Sequence, residues 1–218
     1  MKYTHFSEKG PRDKNEDYCK IVKISDERTL FVVCDGMGGY AQGEVASRTV
    51  CEAFATFWQE HADVADSEQK VQDASAYAFE RLSEEAHGDY IGTTVVLCSI
   101  EGNRATVAHA GDSRCYIIDI KGNVRYFTLD HIDHRKYMHK AFFTYCPDDA
   151  VPEVKTINLH PLDRILICTD GVYNAVSDNT LLHILLCAKD VEQVAGKYIS
   201  YCKDYADDNH SAIIVEIE

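Results

Sequence analysis

The amino-acid sequence predicts an α+β fold in which antiparallel sheets pack on one another and helices cover their outer faces. Short apolar runs follow one another between residues 92 and 128, where the turns EGN, GDSR and KGN separate TTVVLCSI, ATVAHA, CYIIDI and VRYFTL. Helical patterns come in pairs, at 41–62 with 66–87 and at 178–189 with 191–206. Because strands and helices do not alternate strictly, this pattern disfavours a doubly wound nucleotide-binding fold.

The remaining elements agree with this class. The sequence predicts an opening strand, a loop at 8–17 and a strand pair at 17–24 and 29–35. Two more strands are expected within 154–169, and SAIIVEIE forms the last strand. Segment 131–152 has no clear period, so we expect an irregular excursion there. We find no repeat, low-complexity tract or linker, and therefore predict a single domain over 1–218.

Composition narrows the function classes. A formal net charge of −14 disfavours binding to nucleic acid or anionic lipid, and no run of about 18 apolar residues is present to span a membrane. The first residues lack the apolar core of a signal peptide, so we expect a cytoplasmic protein. The 9 cysteines form no C-x-x-C pair and no C-x5-R phosphate cradle. Free, mostly structural thiols are expected, and a cysteine-based phosphatase is disfavoured.

Four acidic elements stand where a predicted strand meets a turn. They are Asn15-Glu16-Asp17, Asp35-Gly36, Asp170-Gly171 and Asp207-Asp208-Asn209. Carboxylates that converge from neighbouring strand ends repel one another unless cations neutralise them, and oxygen-only ligands suit Mg²⁺ or Mn²⁺ rather than zinc. Each Asp-Gly is also a common turn, so spacing alone leaves a metal site and simple turns both open.

Seven short motifs in a fixed order carry a resemblance to a known family. They are RxxNED (Arg12 to Asp17), VCDGMGG (Val33 to Gly39), GTT (Gly92 to Thr94), AGDSR (Ala110 to Arg114), TLDH (Thr128 to His131), CTDGVYN (Cys168 to Asn174) and DDNHSAIIV (Asp207 to Val215). The chain resembles the metal-dependent protein phosphatases, the type 2C serine/threonine phosphatases. The resemblance is to the bacterial type, with a flap that is shortened in this chain. The resemblance implies a four-layer α-β-β-α sandwich with two central antiparallel sheets flanked by helix pairs.

The resemblance also implies a metal site with two divalent cations, Mn²⁺ or Mg²⁺. Asp35 would bridge the two metals, and the carbonyl of Gly36 would bind one of them. Asp170 and Asp208 would hold the other metal. Asp112 together with Asp170 would hold a third, weaker metal.

Three further residues receive roles from the same resemblance. Glu16 and Asp17 would order metal-bound waters. Arg12 would grip the substrate phosphate, to which its planar guanidinium is matched. Met37 stands where many eukaryotic relatives carry a histidine proposed as general acid, and methionine has no proton to donate. The proton donor would then be a metal-bound water.

The implied function is hydrolysis of phosphoserine and phosphothreonine in proteins by a metal-bridging hydroxide. The expected partners are phosphoprotein substrates of a serine/threonine kinase, and the chain is expected to be a monomer that binds neither nucleic acid nor membrane. The alternative is a catalytically inactive pseudophosphatase that acts as a binding module. A third interpretation is an acidic structural domain whose Asp turns are accidental.

Segment 131–152 departs most from the family pattern, because bacterial relatives carry a longer flap there. His131, His134 and His139 raise the alternative of a zinc site, yet their spacing fits no helix face and no finger pattern. The sequence therefore favours a mobile surface loop.

Overall fold

The structure is a computed structural model that describes residues 1–37, 42–135 and 137–218. Gly38 and Gly39 of the VCDGMGG motif, together with Tyr40, Ala41 and Lys136, lie outside the described residues. The strands are β1 (Lys2–Glu8), β2 (Asp17–Lys23), β3 (Arg28–Asp35), β4 (Gly92–Thr93), β5 (Val95–Glu101), β6 (Arg104–Ala110), β7 (Arg114–Ile118), β8 (Val124–Phe127), β9 (Phe142–Phe143), β10 (Glu153–Asn158), β11 (Arg164–Cys168) and β12 (His210–Glu216). The α-helices are α1 (Gly43–Glu60), α2 (Glu68–Glu85), α3 (Asp170–Ala175), α4 (Asp178–Cys187) and α5 (Val191–Tyr205).

The strands form two antiparallel sheets that pack face to face. The first sheet has the order β1-β12-β11-β7-β8, and the second has the order β10-β6-β5-β3-β2. Apolar residues from both inner faces meet between them, including Phe31 and Val33 from β3 with Ile167 from β11 and Ile213 from β12. This interlayer core confirms the prediction of two packed sheets.

Each sheet buries its outer face under helices. Helices α1 and α2 cover the second sheet, and Trp58, Phe54 and Leu82 fill that layer. Helices α3, α4 and α5 cover the first sheet. Strand β3 is apolar throughout because both of its faces are buried. Leu30 and Val32 face the helices, while Phe31 and Val33 face the other sheet. The four-layer sandwich is therefore confirmed.

Two local expectations differ from the structure. The sequence predicts a glycine turn at Asp170-Gly171, yet these residues begin the short helix α3, with Thr169 in extended conformation before it. Segment 131–152 is less irregular than expected, because β9 pairs with β4 and Pro147–Asp149 forms a 3₁₀ turn. Both features depend on contacts with distant parts of the chain. Among the described residues, no helix is long and apolar enough to cross a membrane.

Candidate metal centre

The acidic strand ends meet in one cleft between the two sheets. Asp17 at the start of β2 and Asp35 at the end of β3 are register partners in the second sheet. Asp170 follows β11 and Asp208 precedes β12 in the first sheet. The cleft has a volume of about 410 Å³ and is lined by Arg12, Glu16, Asp35, Gly36, Met37, Thr94, Asp112, Met138, Asp170 and Asp208. The structure thus brings together every site residue proposed from the sequence, with Asp17 adjacent through its pairing with Asp35.

The two Asp-Gly pairs are explained by close backbone packing. A Cβ atom added to Gly36 would lie 2.2 Å from the carbonyl oxygen of Gly43 and 2.6 Å from that of Glu16. A Cβ atom added to Gly171 would lie 2.0 Å from the carbonyl oxygen of Asn209. Any larger residue at either position would push apart the segments that carry the carboxylates. Glycine therefore fixes the distance between the acidic elements.

Burial and mutual repulsion raise the pKa values of the aspartates. Burial raises the pKa of Asp17 to about 7, although hydrogen bonds from Ser211 and Thr169 act in the opposite direction. The pKa of Asp35 lies well above its usual range, because of burial first and then the charges of Asp17 and Asp170. The ionised site is therefore unfavourable without an added positive charge.

Burial also raises the pKa values of the other acidic groups that line the cleft. Burial raises the pKa of Asp170 to about 6, and the charges of Asp112 and Asp208 add to the effect. The pKa of Asp112 is also raised, mainly by burial. Burial, followed by the charge of Glu44, raises the pKa of Glu16. Acidic groups from both sheets thus share one uncompensated negative field.

The described residues fit a divalent cation. Asp17 is only 5% exposed, and its Oδ1 has no hydrogen-bond partner, so a buried anionic oxygen remains unsatisfied. Among the described residues that line the cleft, Arg12 is the one cationic side chain. Carboxylate and carbonyl oxygens are the ligands that Mg²⁺ and Mn²⁺ prefer. Cation binding would supply the positive charge that the protein itself lacks here.

Arg12 lies at the mouth of this cleft in a contact that sequence reasoning missed. Its Nη2 donates to Asp208 Oδ2 at 2.7 Å, and its Nε donates to the backbone oxygen of Asp207 at 3.2 Å. Arg12 therefore contacts one of the carboxylates expected to bind metal. A separation of 196 residues between Arg12 and Asp208 leaves no local sequence signal for this pair.

Thr94 and Met138 also line the cleft, although no role is predicted for either residue from the sequence. Thr94 Oγ1 accepts a hydrogen bond from the amide of Asp35 at 3.0 Å, so it helps to fix the end of β3. The GTT motif was the available signal for Thr94. Met138 comes from the segment without a period, where no signal was present.

Asp112 is held by a small aromatic and ionic arrangement. Tyr173 donates a hydrogen bond to the backbone oxygen of Asp112 at 3.1 Å. The guanidinium of Arg114 lies 3.6 Å from the centroid of the Tyr173 ring and pairs with Asp130 through two hydrogen bonds. These contacts fix the AGDSR turn against helix α3.

Of the histidines considered for zinc, His131 and His139 have ring centroids 5.7 Å apart, but the group that could hold a metal combines His131 with His109 and Glu153 instead. His131 is buried and stacks on His109, with ring centroids 4.4 Å apart and an angle of 18° between the rings. A nitrogen of each ring and an oxygen of Glu153 lie within 4.8 Å of one another. Nearly parallel rings cannot direct their in-plane lone pairs at one ion, and His131 Nδ1 already accepts from the amide of Gly111 at 3.3 Å. We therefore interpret this group as a packed histidine pair.

The sequence favours a mobile surface loop for segment 131–152. This prediction is wrong for His131, because its ring is buried and stacks on His109. Burial, with smaller effects of His109 and Lys140, lowers the pKa of His131 to about 4. The ring is thus neutral at physiological pH and ties the start of segment 131–152 to the AGDSR turn.

Comparison with known proteins agrees with this geometry. The family model described as protein phosphatase 2C matches residues 7–207. The serine/threonine phosphatase stp of Listeria monocytogenes serovar 1/2a is 25% identical, over 94% of this chain and 91% of that protein. A crystal structure of the Mycobacterium tuberculosis serine/threonine phosphatase PstP/Ppp has a TM-score of 0.83 and 26% identity, and the match covers 100% of this chain and 98% of that one.

A second solved structure bears on the cations. It is the catalytic domain of the serine/threonine phosphatase PstP in complex with two manganese ions, with a TM-score of 0.82, 26% identity, and coverage of 100% of this chain and 98% of that one. Its two cations agree with the carboxylate and carbonyl oxygens that line the cleft described above. With a family model that spans most of its length, this chain belongs to the protein phosphatase 2C family of metal-dependent phosphatases.

Proposed function

We propose that this chain hydrolyses phosphoserine and phosphothreonine esters in proteins, as a single catalytic domain over 1–218 that requires two divalent cations. The observation that carries the proposal is the convergence of carboxyl groups from both sheets on one cleft, with the guanidinium of Arg12 at its mouth. The likeness to serine/threonine phosphatases supports the substrate class. The substrates would be phosphoproteins made by a serine/threonine kinase.

The residues divide into two groups by what they contact. Asp35, Asp170, Asp208 and the carbonyl of Gly36 would hold the two cations. When bound, such a cation pair lowers the pKa of a water between them and neutralises charge on the phosphate. Without this positive charge, burial and mutual repulsion disfavour ionisation of Asp35 and Asp170 and raise the pKa values of both carboxyl groups.

The outer residues orient the chemistry. Glu16 and Asp17 would order the water around the cations, and Asp112 with Asp170 would hold a third, weaker cation. Arg12 would bind the phosphate, because two N–H groups of its planar guanidinium can donate to two phosphate oxygens. Its side chain is 52% exposed at the mouth of the cleft and is therefore accessible to substrate. Charge stabilisation by Arg12 and the cations is the dominant contribution to rate.

The leaving oxygen must obtain a proton from water held in the cleft. Met37 lines the cleft but has no proton to give. The buried Thr94 hydroxyl is hydrogen-bonded to the Asp35 amide and to Ser113 Oγ, and an alcohol does not titrate near neutral pH. The pH dependence of turnover should therefore follow the carboxyl groups and the water of the cleft rather than a histidine general acid.

A panel of matched peptides tests the substrate class. We expect phosphate release from phosphoserine and phosphothreonine peptides in the presence of Mn²⁺, and little release from the phosphotyrosine peptide of the same sequence. Tight binding of phosphopeptides without any release would instead show a pseudophosphatase. Release from the phosphotyrosine peptide alone would contradict the proposed substrate class.

A further inference from the structure

The loop that carries Arg12 is packed directly on the backbone of segment 207–210. Gly10 in this loop has a φ of +61°, and a Cβ atom there would lie 2.4 Å from the carbonyl oxygen of Asp208. Only glycine adopts this conformation at such a short distance without strain. The loop at 9–15 and the segment that contains Asp208 therefore form one packed unit.

The side chain of Asn209 forms hydrogen bonds with both ends of this loop. Its Nδ2 donates to the backbone oxygens of Lys9 at 2.7 Å and Lys14 at 2.8 Å. Its Oδ1 accepts from the amide of Glu16 at 2.8 Å. Asn209 is only 4% exposed, so these three hydrogen bonds are shielded from water.

Arg12 lies in the loop between Lys9 and Lys14, the two residues whose carbonyl groups Asn209 binds. Its guanidinium contacts Asp207 and Asp208, which directly precede Asn209. Because the Arg12 side chain is 52% exposed, its position depends on these two contacts and on the backbone of the loop that carries it. Asn209 holds that backbone closed.

We propose that Asn209 is the positioning residue for Arg12, so that its amide group sets the affinity of the cleft for the substrate phosphate. The proposal rests on the proposed function, in which Arg12 binds that phosphate. The side chain of Asn209 acts through the loop and contacts neither substrate nor cation, while its backbone amide donates to Asp208 Oδ1 at 2.8 Å and is retained in any Asn209 variant.

The chemistry of the amide explains why asparagine is required. Lys9 and Lys14 present carbonyl oxygens, which need donors, and Glu16 presents an N–H group, which needs an acceptor. An aspartate of the same shape keeps the acceptor but places a second oxygen against the two carbonyls. Asn209→Asp and Asn209→Ala should therefore both open the loop, the first at nearly constant volume.

A double-mutant cycle with Arg12 tests the proposal on the full chain at saturating Mn²⁺. We expect Asn209→Ala to raise the KM for a phosphothreonine peptide about tenfold, with a smaller change in kcat. The reason is that the three side-chain hydrogen bonds that order the loop are lost. In the Arg12→Ala background the same substitution should raise KM by less than about threefold, since the residue that it positions is already absent. Hydrogen exchange should increase at residues 9–15 in both Asn209 variants.

Asn123→Ala is the matched control, because Asn123 closes the exposed turn with Asp119, outside the residues that line the cleft. It should leave the KM unchanged. Equal KM increases in the wild-type and Arg12→Ala backgrounds would overturn the proposal, and so would unchanged exchange in the loop. Global unfolding of both Asn209 variants would show that Asn209 stabilises the whole fold rather than the position of Arg12. That result would also overturn the proposal. An inactive wild-type enzyme would instead refute the proposed function.

Discussion

Replacing Asp17 with asparagine should stabilise the metal-free protein. Asp17 is buried, its Oδ1 has no hydrogen-bond partner, and burial raises its pKa to about 7. Asparagine has the same shape but brings no charge into this environment. It can still accept the hydrogen bond that Thr169 donates to Asp17 Oδ2 at 2.9 Å.

The magnitude follows from the pKa of the carboxyl group. A folded-state pKa of about 7, against an ordinary value of 3.8, corresponds to about 4 kcal/mol of destabilisation once Asp17 is ionised. An amide group that is less well hydrogen-bonded than in water offsets about 1–2 kcal/mol of this gain. The net gain of about 2–3 kcal/mol should raise the Tm by about 5–10 °C for a domain of this size.

The assay is thermal unfolding of EDTA-treated protein at pH 8, followed by circular dichroism. Asp119→Asn is the control, because Asp119 is exposed and hydrogen bonds from Asn123 lower its pKa. That variant should not gain stability. A Tm of Asp17→Asn equal to or below that of the wild type would refute the idea that uncompensated carboxylates destabilise the metal-free site.

The remaining predictions concern pH, the metal ligands and Arg12. The folded-state pKa values of Asp17 and Asp170 are raised to about 7 and about 6, so the folded protein binds more protons than the unfolded chain between about pH 4 and 7. The stability of the metal-free protein should therefore fall as pH rises through this window, and saturating Mn²⁺ should reverse the trend in melting curves. Asp35→Asn should remove most of the rise in Tm that Mn²⁺ produces by mass action; a full rise would contradict its bridging role. Arg12→Ala should lower kcat/KM on a phosphopeptide about 30- to 1000-fold, and Arg12→Lys should recover only part of this loss. Because Arg12 partly neutralises Asp208, Arg12→Ala should leave the metal-free site more negative and enlarge the Mn²⁺ shift slightly. An unchanged kcat/KM would exclude Arg12 from phosphate binding.

Most of the fold could be predicted because its periodicities are local. Strand β3 is apolar throughout since it is covered on both faces, and the helix pairs carry a continuous apolar stripe. Helix α3 was missed because Asp170-Gly171 looks like a turn until Asn209 packs on Gly171. Strand β9 was missed because a two-residue strand is defined by its partner β4 rather than by its own sequence.

The candidate site could be predicted in its members but not in its contacts. The order of the motifs identified the carboxylates that line the cleft, and the resemblance suggested their roles. The pairing of Arg12 with Asp208 and the three hydrogen bonds of Asn209 join segments about 200 residues apart, so no local pattern reveals them. Met138 reaches the cleft from a segment without periodicity.

The central claim is that the acidic cleft holds the cations on which phosphate release depends. The most direct measurement is phosphate release from a phosphothreonine peptide by metal-stripped protein during a titration with Mn²⁺, with bound manganese quantified in the same samples. The account predicts no release without metal, full activity when two equivalents are bound, and neither binding nor release in Asp35→Asn. Turnover by the metal-stripped protein, or full activity in Asp35→Asn, would contradict it.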